Sequence, residues 1–299
     1  MTHAVIDIGS NTIRTNVYAI TGMAFQPLFS EKIIAGLANY IQDEQLNQEG
    51  IHRLCASLEH FQKMLHRIGV SSIGVFATAS IRNVNNTKEI LQAVKKQTGY
   101  TIDILSGEDE ALLDYYGMLH NIDASQGALF DIGGGSTEIV AFNENEPYLA
   151  KSIPIGSLNL FTRYVSDFLP TKQEQKLIEK HIRQELKGIR FSAITPVEKV
   201  VGVGGTTRAV LKLVNSLFDL PVDNCVIQMD QITTLREIVA KDNAKTRKLI
   251  LRNCPDRIHT LVPGLLIMMH ILNHLKAPCF TISTYGVREG YLWQKMLNR

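Results

Sequence analysis

The chain has 299 residues, of which 45% are hydrophobic and 20% charged, and its formal net charge is +2. That length suggests two domains of ordinary size, and the composition excludes a disordered chain and announces no binder of polyanions. Four cysteines, Cys55, Cys225, Cys254 and Cys279, form no CxxC pair; this argues against a zinc ribbon or disulfide framework and fits a reducing, cytoplasmic setting.

After Met1-Thr2-His3 the chain enters an apolar run at once, with no charged leader or cleavage pattern. Ala4 to Ile8 reads as a buried strand, followed by the turn Gly9-Ser10-Asn11-Thr12 and a returning strand, Ile13 to Ile20. A strand at Phe25 to Ala35, a helix at Asn47 to Ile68 and a strand at Ser72 to Ala77 follow. The helix carries Ile51, Leu54, Leu58, Phe61, Leu65 and Ile68 at steps of three or four, one apolar face for a sheet. A helix (Asn85 to Gln97), a strand (Tyr100 to Leu105) and a helix (Gly107 to Leu119) complete this half. Polar Asn121 to Gly127 reads as a hinge.

The opening pattern then recurs, as Ala128-Leu129-Phe130-Asp131-Ile132-Gly133-Gly134-Gly135-Ser136-Thr137 with a returning strand, Glu138 to Phe142. A strand (Pro147 to Ile155) and helices through Phe191 come next, with Thr171 and Glu174 spaced as a capping box. Beyond a strand at Val197 to Val203, the run Gly204-Gly205-Thr206-Thr207 leads into a helix at Arg208 to Leu217. A last strand, Cys279 to Ser283, precedes the closing helix. The greasiest stretch, Val262 to Leu275, is too short and too polar for a membrane span.

The expected fold is therefore α/β, two duplicated domains facing a central cleft, with residues 1–124 forming the first and 125–284 the second. The closing helix, about 285–299, is expected to pack back on the first.

Glycine turns let backbone N–H groups approach an anion, and the hydroxyls of Ser10, Thr12, Ser136 and Thr137 add donors. Carboxylates beside a phosphate would repel it, so Asp7 and Asp131 make sense with an intervening cation, for which magnesium is the expected ion. Gly204, Gly205 and Thr206, at a strand-to-helix turn, offer a third anion-binding corner. The run Glu108-Asp109-Glu110 opens a helix, where acids suit the dipole. One of the three, at a substrate, would serve to orient an attacking water.

Taken together, the two hairpins, Ser106-Gly107-Glu108-Asp109-Glu110-Ala111, Gly204-Gly205-Thr206-Thr207-Arg208 and Tyr285-Gly286-Val287-Arg288-Glu289-Gly290 resemble the exopolyphosphatase and guanosine pentaphosphate phosphohydrolase (Ppx/GppA) family. The resemblance runs from Val5 to about Leu292 and implies the actin-like (ribonuclease H-like) superfold. It implies Glu110 as catalytic base and Asp131 and Glu138 as the acids of the metal and the attacking water, with Asp7 as the counterpart in the first domain. It places Ser10, Asn11, Gly133, Gly134, Gly135 and Ser136 on phosphate loops, and Arg82, in Ala77-Thr78-Ala79-Ser80-Ile81-Arg82-Asn83, on the substrate phosphates. His259 stands where many relatives have an aspartate. Larger members carry further C-terminal helical domains; this chain is expected to be a two-domain short form.

The activity so implied is magnesium-assisted release of terminal orthophosphate from inorganic polyphosphate. Guanosine pentaphosphate is the alternative substrate; a kinase-like phosphotransferase or a non-catalytic sensor of polyphosphate or nucleotide is the alternative of another class. A homodimer is implied by resemblance alone. The basic positions Lys172, Lys176, Lys180, Arg183, Lys187 and Arg190 line one helical face and read as a solvated face rather than a substrate track. His270 and His274 lack a third ligand and read as core-edge residues. No pattern for nucleic-acid or membrane binding is present.

Overall fold

Strand β1 (Thr2–Ile8) is buried on both faces through Ala4, Val5, Ile6 and Ile8, the signature of a central strand. It pairs antiparallel with β2 (Thr12–Thr21), which pairs in turn with the edge strand β3 (Ala24–Ile34). These residues belong to a computed structural model that describes residues 1–22, 24–194, 197–241 and 243–297. The chain divides into two compact units, Met1–Glu110 with Tyr291–Arg299, and Ala111–Gly290.

In the first unit a small hairpin, β4 (Ile41–Gln42) and β5 (Gln45–Leu46), leads to α1 (Gln48–Arg67). Asn47 caps this helix, its side chain accepting from the Gly50 N–H at 2.9 Å. Leu54, Leu58, Phe61 and Leu65 are fully buried against the sheet, each stabilising the fold by about 1.5–3 kcal/mol. Next come β6 (Ser72–Ala77), α2 (Ala79–Arg82), α3 (Thr87–Thr98), β7 (Asp103–Ile104) and α4 (Gly107–Met118). The sheet order is β3-β2-β1-β6-β7, with β1, β6 and β7 parallel. The strand expected over Tyr100 to Leu105 shrinks to two residues because only Asp103 and Ile104 find partners, Phe76 and Ala77. After Tyr291 the chain continues as a π-helical turn, Leu292–Leu297; residues 298 and 299 of the expected closing helix lie outside the described residues.

The second unit repeats that topology. Strands β8 (Gly127–Ile132), β9 (Thr137–Asn143) and β10 (Glu146–Ile153) form its meander. Helices α5 (Ser157–Tyr164) and α6 (Lys172–Leu186) follow, then β11 (Val200–Val203) and α7 (Gly204–Phe218). The Thr171–Glu174 capping box is formed at the start of α6. Beyond it lie β12 (Val226–Gln228), α8 (Met229–Val239), α9 (Ala244–Asn253), α10 (Leu261–Leu275), β13 (Cys279–Ile282) and α11 (Val287–Tyr291). The order β10-β9-β8-β11-β13 matches the first sheet strand for strand, with β12 added at the edge.

The greasy stretch is α10, buried on nearly every side among α5, α6, α7 and α8, which is why it is apolar all round. No helix among the described residues is long and apolar enough to cross a membrane. The boundary expected after residue 124 falls inside the second unit. There Ala111, Tyr115 and Met118 of α4 pack with Leu129, Val140 and Phe142 of the β8–β9 pair.

Candidate active site

The two glycine hairpins are built alike to the level of single hydrogen bonds. Gly9 N–H donates to the Thr12 carbonyl at 3.0 Å, and Gly133 N–H donates to the Ser136 carbonyl at 2.9 Å. In the first hairpin the Ser10 carbonyl accepts from Ala38 N–H and the Asn11 carbonyl from Gly36 N–H. In the second, the Gly133 carbonyl accepts from Ser157 N–H, the Gly134 carbonyl from Leu158 and Asn159 N–H, and the Gly135 carbonyl from the Asn159 side chain. The loop carbonyls are thus taken up within the fold and the Gly9 and Gly133 amides close the turns, while glycine at these positions lets a backbone N–H approach an anion closely. Gly156 is required here: a Cβ on it would lie 2.4 Å from the Gly134 carbonyl carbon.

Each turn is also held from behind by a hydroxyl. Ser80 Oγ donates to the Ile8 carbonyl at 2.9 Å, and Thr206 Oγ1 donates to the Ile132 carbonyl at 2.7 Å. Thr206, expected on phosphate, is 2% exposed, and its hydroxyl is taken up inside the fold as a brace for the hairpin. Thr137 is similarly engaged, donating to the Ile155 carbonyl at 2.6 Å.

The hairpins differ in what stands opposite the aspartate. Asp7 pairs in register with Arg14, whereas Asp131 pairs with Glu138. Residues directly opposite share a face with Cβ atoms about 5 Å apart, so the second hairpin sets two carboxylates side by side. Glu138 is 1% exposed and accepts from Ser152 Oγ at 2.7 Å. Asp131 lies against Gly204, whose φ of +83° opens α7 in a conformation that favours glycine. The helix thus begins at the glycines themselves, ahead of the expected start at Arg208. Beside it the Arg257 guanidinium packs on the α-carbon of Gly205, where a Cβ would stand 2.1 Å from a terminal nitrogen.

Two like charges opposed on one face are unfavourable unless a cation or proton lies between them. Among the described residues no group of three or more His, Cys, Asp or Glu side chains gathers as a complete metal cage. Two carboxylates completed by water and substrate oxygens are nonetheless a magnesium-type donor set, so Asp131 and Glu138 fit the expected ion.

The acidic run of α4 resolves into three roles. Asp109 and Ser106 cap the helix reciprocally: Asp109 N–H donates to Ser106 Oγ at 3.0 Å, and Ser106 Oγ donates to the Asp109 carboxylate at 2.6 Å. Glu108 stays with the helix's first turn. Glu110 turns to Arg82, accepting from its guanidinium at 2.9 Å with the two side chains 12% and 19% exposed. Arg82 also donates to the Leu105 carbonyl at 3.0 Å. It sits at the end of α2, directly beyond β6, and its guanidinium is held by two partners.

Ser80, Ser152, Asn159 and Arg257 escape a reading of the sequence alone. None stands in a glycine motif, and each reaches the hairpins or the glycine turn through a strand pairing or a chain crossing. His259 takes its own surroundings: its ring stacks on Phe168 at 5.6 Å and tilts against Phe161 at 5.0 Å.

Comparison with known proteins places these features in a family. The model of the Ppx/GppA phosphatase family matches residues 16–299. Exopolyphosphatase 1 of Mycobacterium tuberculosis is 25% identical over 300 residues, covering 98% of this chain and 87% of the relative. Among solved structures, an exopolyphosphatase from Cytophaga hutchinsonii superposes with a TM-score of 0.88 at 22% identity, covering 98% of this chain and 97% of the other. The Aquifex aeolicus PPX-GPPA enzyme gives 0.80 at 25% identity, covering 99% of each chain. The fold is the two-unit, actin-like α/β architecture of these proteins.

Proposed function

We propose, from the premise that the chain belongs to the Ppx/GppA phosphatase family, that it is an exopolyphosphatase. The reaction is hydrolysis of a terminal phosphoric anhydride, releasing orthophosphate from inorganic polyphosphate. The observation that carries the reading is the pairing of Asp131 with Glu138 beside an anion-ready glycine loop. A charged carboxylate pair would repel phosphate, and a cation between them both relieves that repulsion and meets the substrate oxygens.

Asp131 and Glu138 would hold magnesium, which supplies Lewis-acid neutralisation of the phosphate oxygens. Asp7, with Arg14 on its own face, lies next to a positive charge already and has less need of the ion. Gly134, Gly135 and Ser136 offer their amides to phosphate oxygens in the turn that Gly133 closes, and Ser10, Asn11 and Thr12 offer the matching turn of the first unit. Gly204 and Gly205 keep the start of α7 open beside Asp131. Ser152 fixes the Glu138 carboxylate through its hydrogen bond. Arg82 orients Glu110, which serves as the base that aligns water for in-line attack, and offers its guanidinium to developing phosphate charge. Phosphoryl transfer asks little covalent chemistry of the protein, so positioning dominates the rate.

The test is orthophosphate release with magnesium from long-chain polyphosphate, guanosine pentaphosphate and ATP, with Glu110→Gln and Asp131→Asn as controls. Polyphosphate turnover that both variants lose, and that a chelator abolishes reversibly, is the expected result. Faster turnover of guanosine pentaphosphate would transfer the assignment to the nucleotide. No release by folded protein from any of the three would overturn it.

A further inference from the structure

A second concave site lies in the first unit, away from the phosphate hairpin. Helix α1 covers the sheet but leaves the edge strand β3 overhanging, and between them runs an apolar groove of about 870 Å³. Its floor is formed by Val17 of β2, Leu28 and Phe29 of β3, Met64 of α1 and Ile68 just past its end. Leu28 and Ile68 are more than half exposed, at 54% and 53%, so the groove is an uncovered surface of a size that suits a small ligand. Met64 supplies an adaptable lining for an irregular chain.

The polar groups are gathered at the rim and are mostly basic. Lys63 and Arg67 stand one helical turn apart on α1, on the same side as the groove. The acid at the rim, Glu31, is already engaged by His60 at 3.0 Å. Among the described residues neither cation has a carboxylate within ion-pair distance, and their aliphatic stems extend the apolar wall. Thr2 reaches this end of β1 and Asp7 lies toward the other, about 17 Å away at the usual strand rise. The groove is thus separate from the phosphate-binding turn of its own unit.

We propose that this groove binds a monomeric fatty carboxylate, its acyl chain along Leu28, Phe29, Met64 and Ile68 and its head group between Lys63 and Arg67. An anion with one apolar tail matches both halves of the lining. A neutral alcohol would leave the cations unmatched, and a bare phosphate would leave the apolar floor wet.

The experiment is calorimetric titration of the full chain with dodecanoate below its micellar concentration, alongside dodecyltrimethylammonium and inorganic phosphate. Dodecanoate should bind the wild type and lose at least tenfold in affinity in the Lys63→Glu/Arg67→Glu variant, while the other two compounds do not bind. That variant should keep the wild-type melting temperature and phosphatase rate, since neither residue touches the catalytic groups; the Leu28→Gln variant supplies an independent loss of binding without a charge change. Equal binding of dodecanoate by wild type and double variant, or none by either, would overturn the proposal. So would sedimentation of the wild type as a dimer that Leu28→Gln dissociates, which would make the groove a contact between copies. Binding to anionic vesicles in preference to dodecanoate would assign it to a membrane and overturn it too.

Discussion

The carboxylate of Asp131 occupies the space where a side chain on Gly204 would begin: a Cβ there would stand 1.9 Å from Oδ1. The backbone is suited to this contact, since Gly204 has a φ of +83°. Gly204→Ala therefore combines backbone strain of about 1–3 kcal/mol with displacement of the carboxylate. Phosphatase activity should fall by about two orders of magnitude or more, and the melting temperature should fall with it. A variant that kept both would show that Asp131 need not hold this position.

The Arg82–Glu110 pair predicts a separation between lysine and alanine replacements. One terminal nitrogen of Arg82 reaches both Glu110 and the Leu105 carbonyl, so Arg82→Lys keeps a charge that can serve either partner and loses the planar, fixed donor geometry. Arg82→Ala leaves a largely buried carboxylate without this partner and should lower kcat more, by about 10²–10³. Glu110→Gln should lower kcat by about 10²–10⁴ with little change in KM, as expected for a general base. Steady-state kinetics on polyphosphate checks all three variants.

Helices α4 and α11 cross at a contact that admits no side chain. A Cβ on Gly117 would lie 2.0 Å from the Gly286 carbonyl oxygen, and one on Gly290 would lie 1.9 Å from the Leu113 carbonyl oxygen. Asp114 fastens the same crossing by accepting from Val287 N–H at 2.7 Å. Gly117→Ala should destabilise the fold by about 1–3 kcal/mol, read as a lower urea midpoint with an unchanged m-value.

The capping box of α6 predicts a dependence on pH. Burial would by itself push the Glu174 carboxyl up, but hydrogen bonds from the Thr171 and Ser166 backbones and hydroxyls outweigh it and leave the carboxyl below its ordinary value. A depressed carboxylate stabilises the fold above its unfolded pKa, and that contribution is lost as pH falls through the folded value. Thr171→Ala should therefore lower stability by about 1 kcal/mol at neutral pH, with a smaller difference from wild type in acid. Urea midpoints of both proteins across pH 3 to 7 would show it; a constant difference would count against the Glu174 linkage.

Much of the local geometry of the candidate site was legible because it lies in short segments. Asp131 and the three glycines after it sit in one turn, as their spacing predicts. The Thr171–Glu174 box is legible for the same reason, its partners being three residues apart. Glu110 needed more: three neighbouring acids look alike in sequence, and the geometry separates them because Asp109 turns back to Ser106 while Glu110 meets Arg82. Thr206 could not be placed from its position beside the glycines, since a hydroxyl there can face a ligand or brace a carbonyl, and here it braces Ile132.

The sequence by itself determined the duplication, the order of the longer strands and helices (though not the short β4, β5, α2 and β12), and the glycine turns, because periodicity and backbone freedom are properties of short segments. The tertiary structure decided which charges meet. Arg14 opposite Asp7, Glu138 opposite Asp131, Ser152 on Glu138 and Arg257 on Gly205 arise from strand register and chain crossings. Those meetings set the electrostatics of each hairpin, so two turns nearly alike in sequence place an aspartate opposite an arginine in one unit and opposite a glutamate in the other.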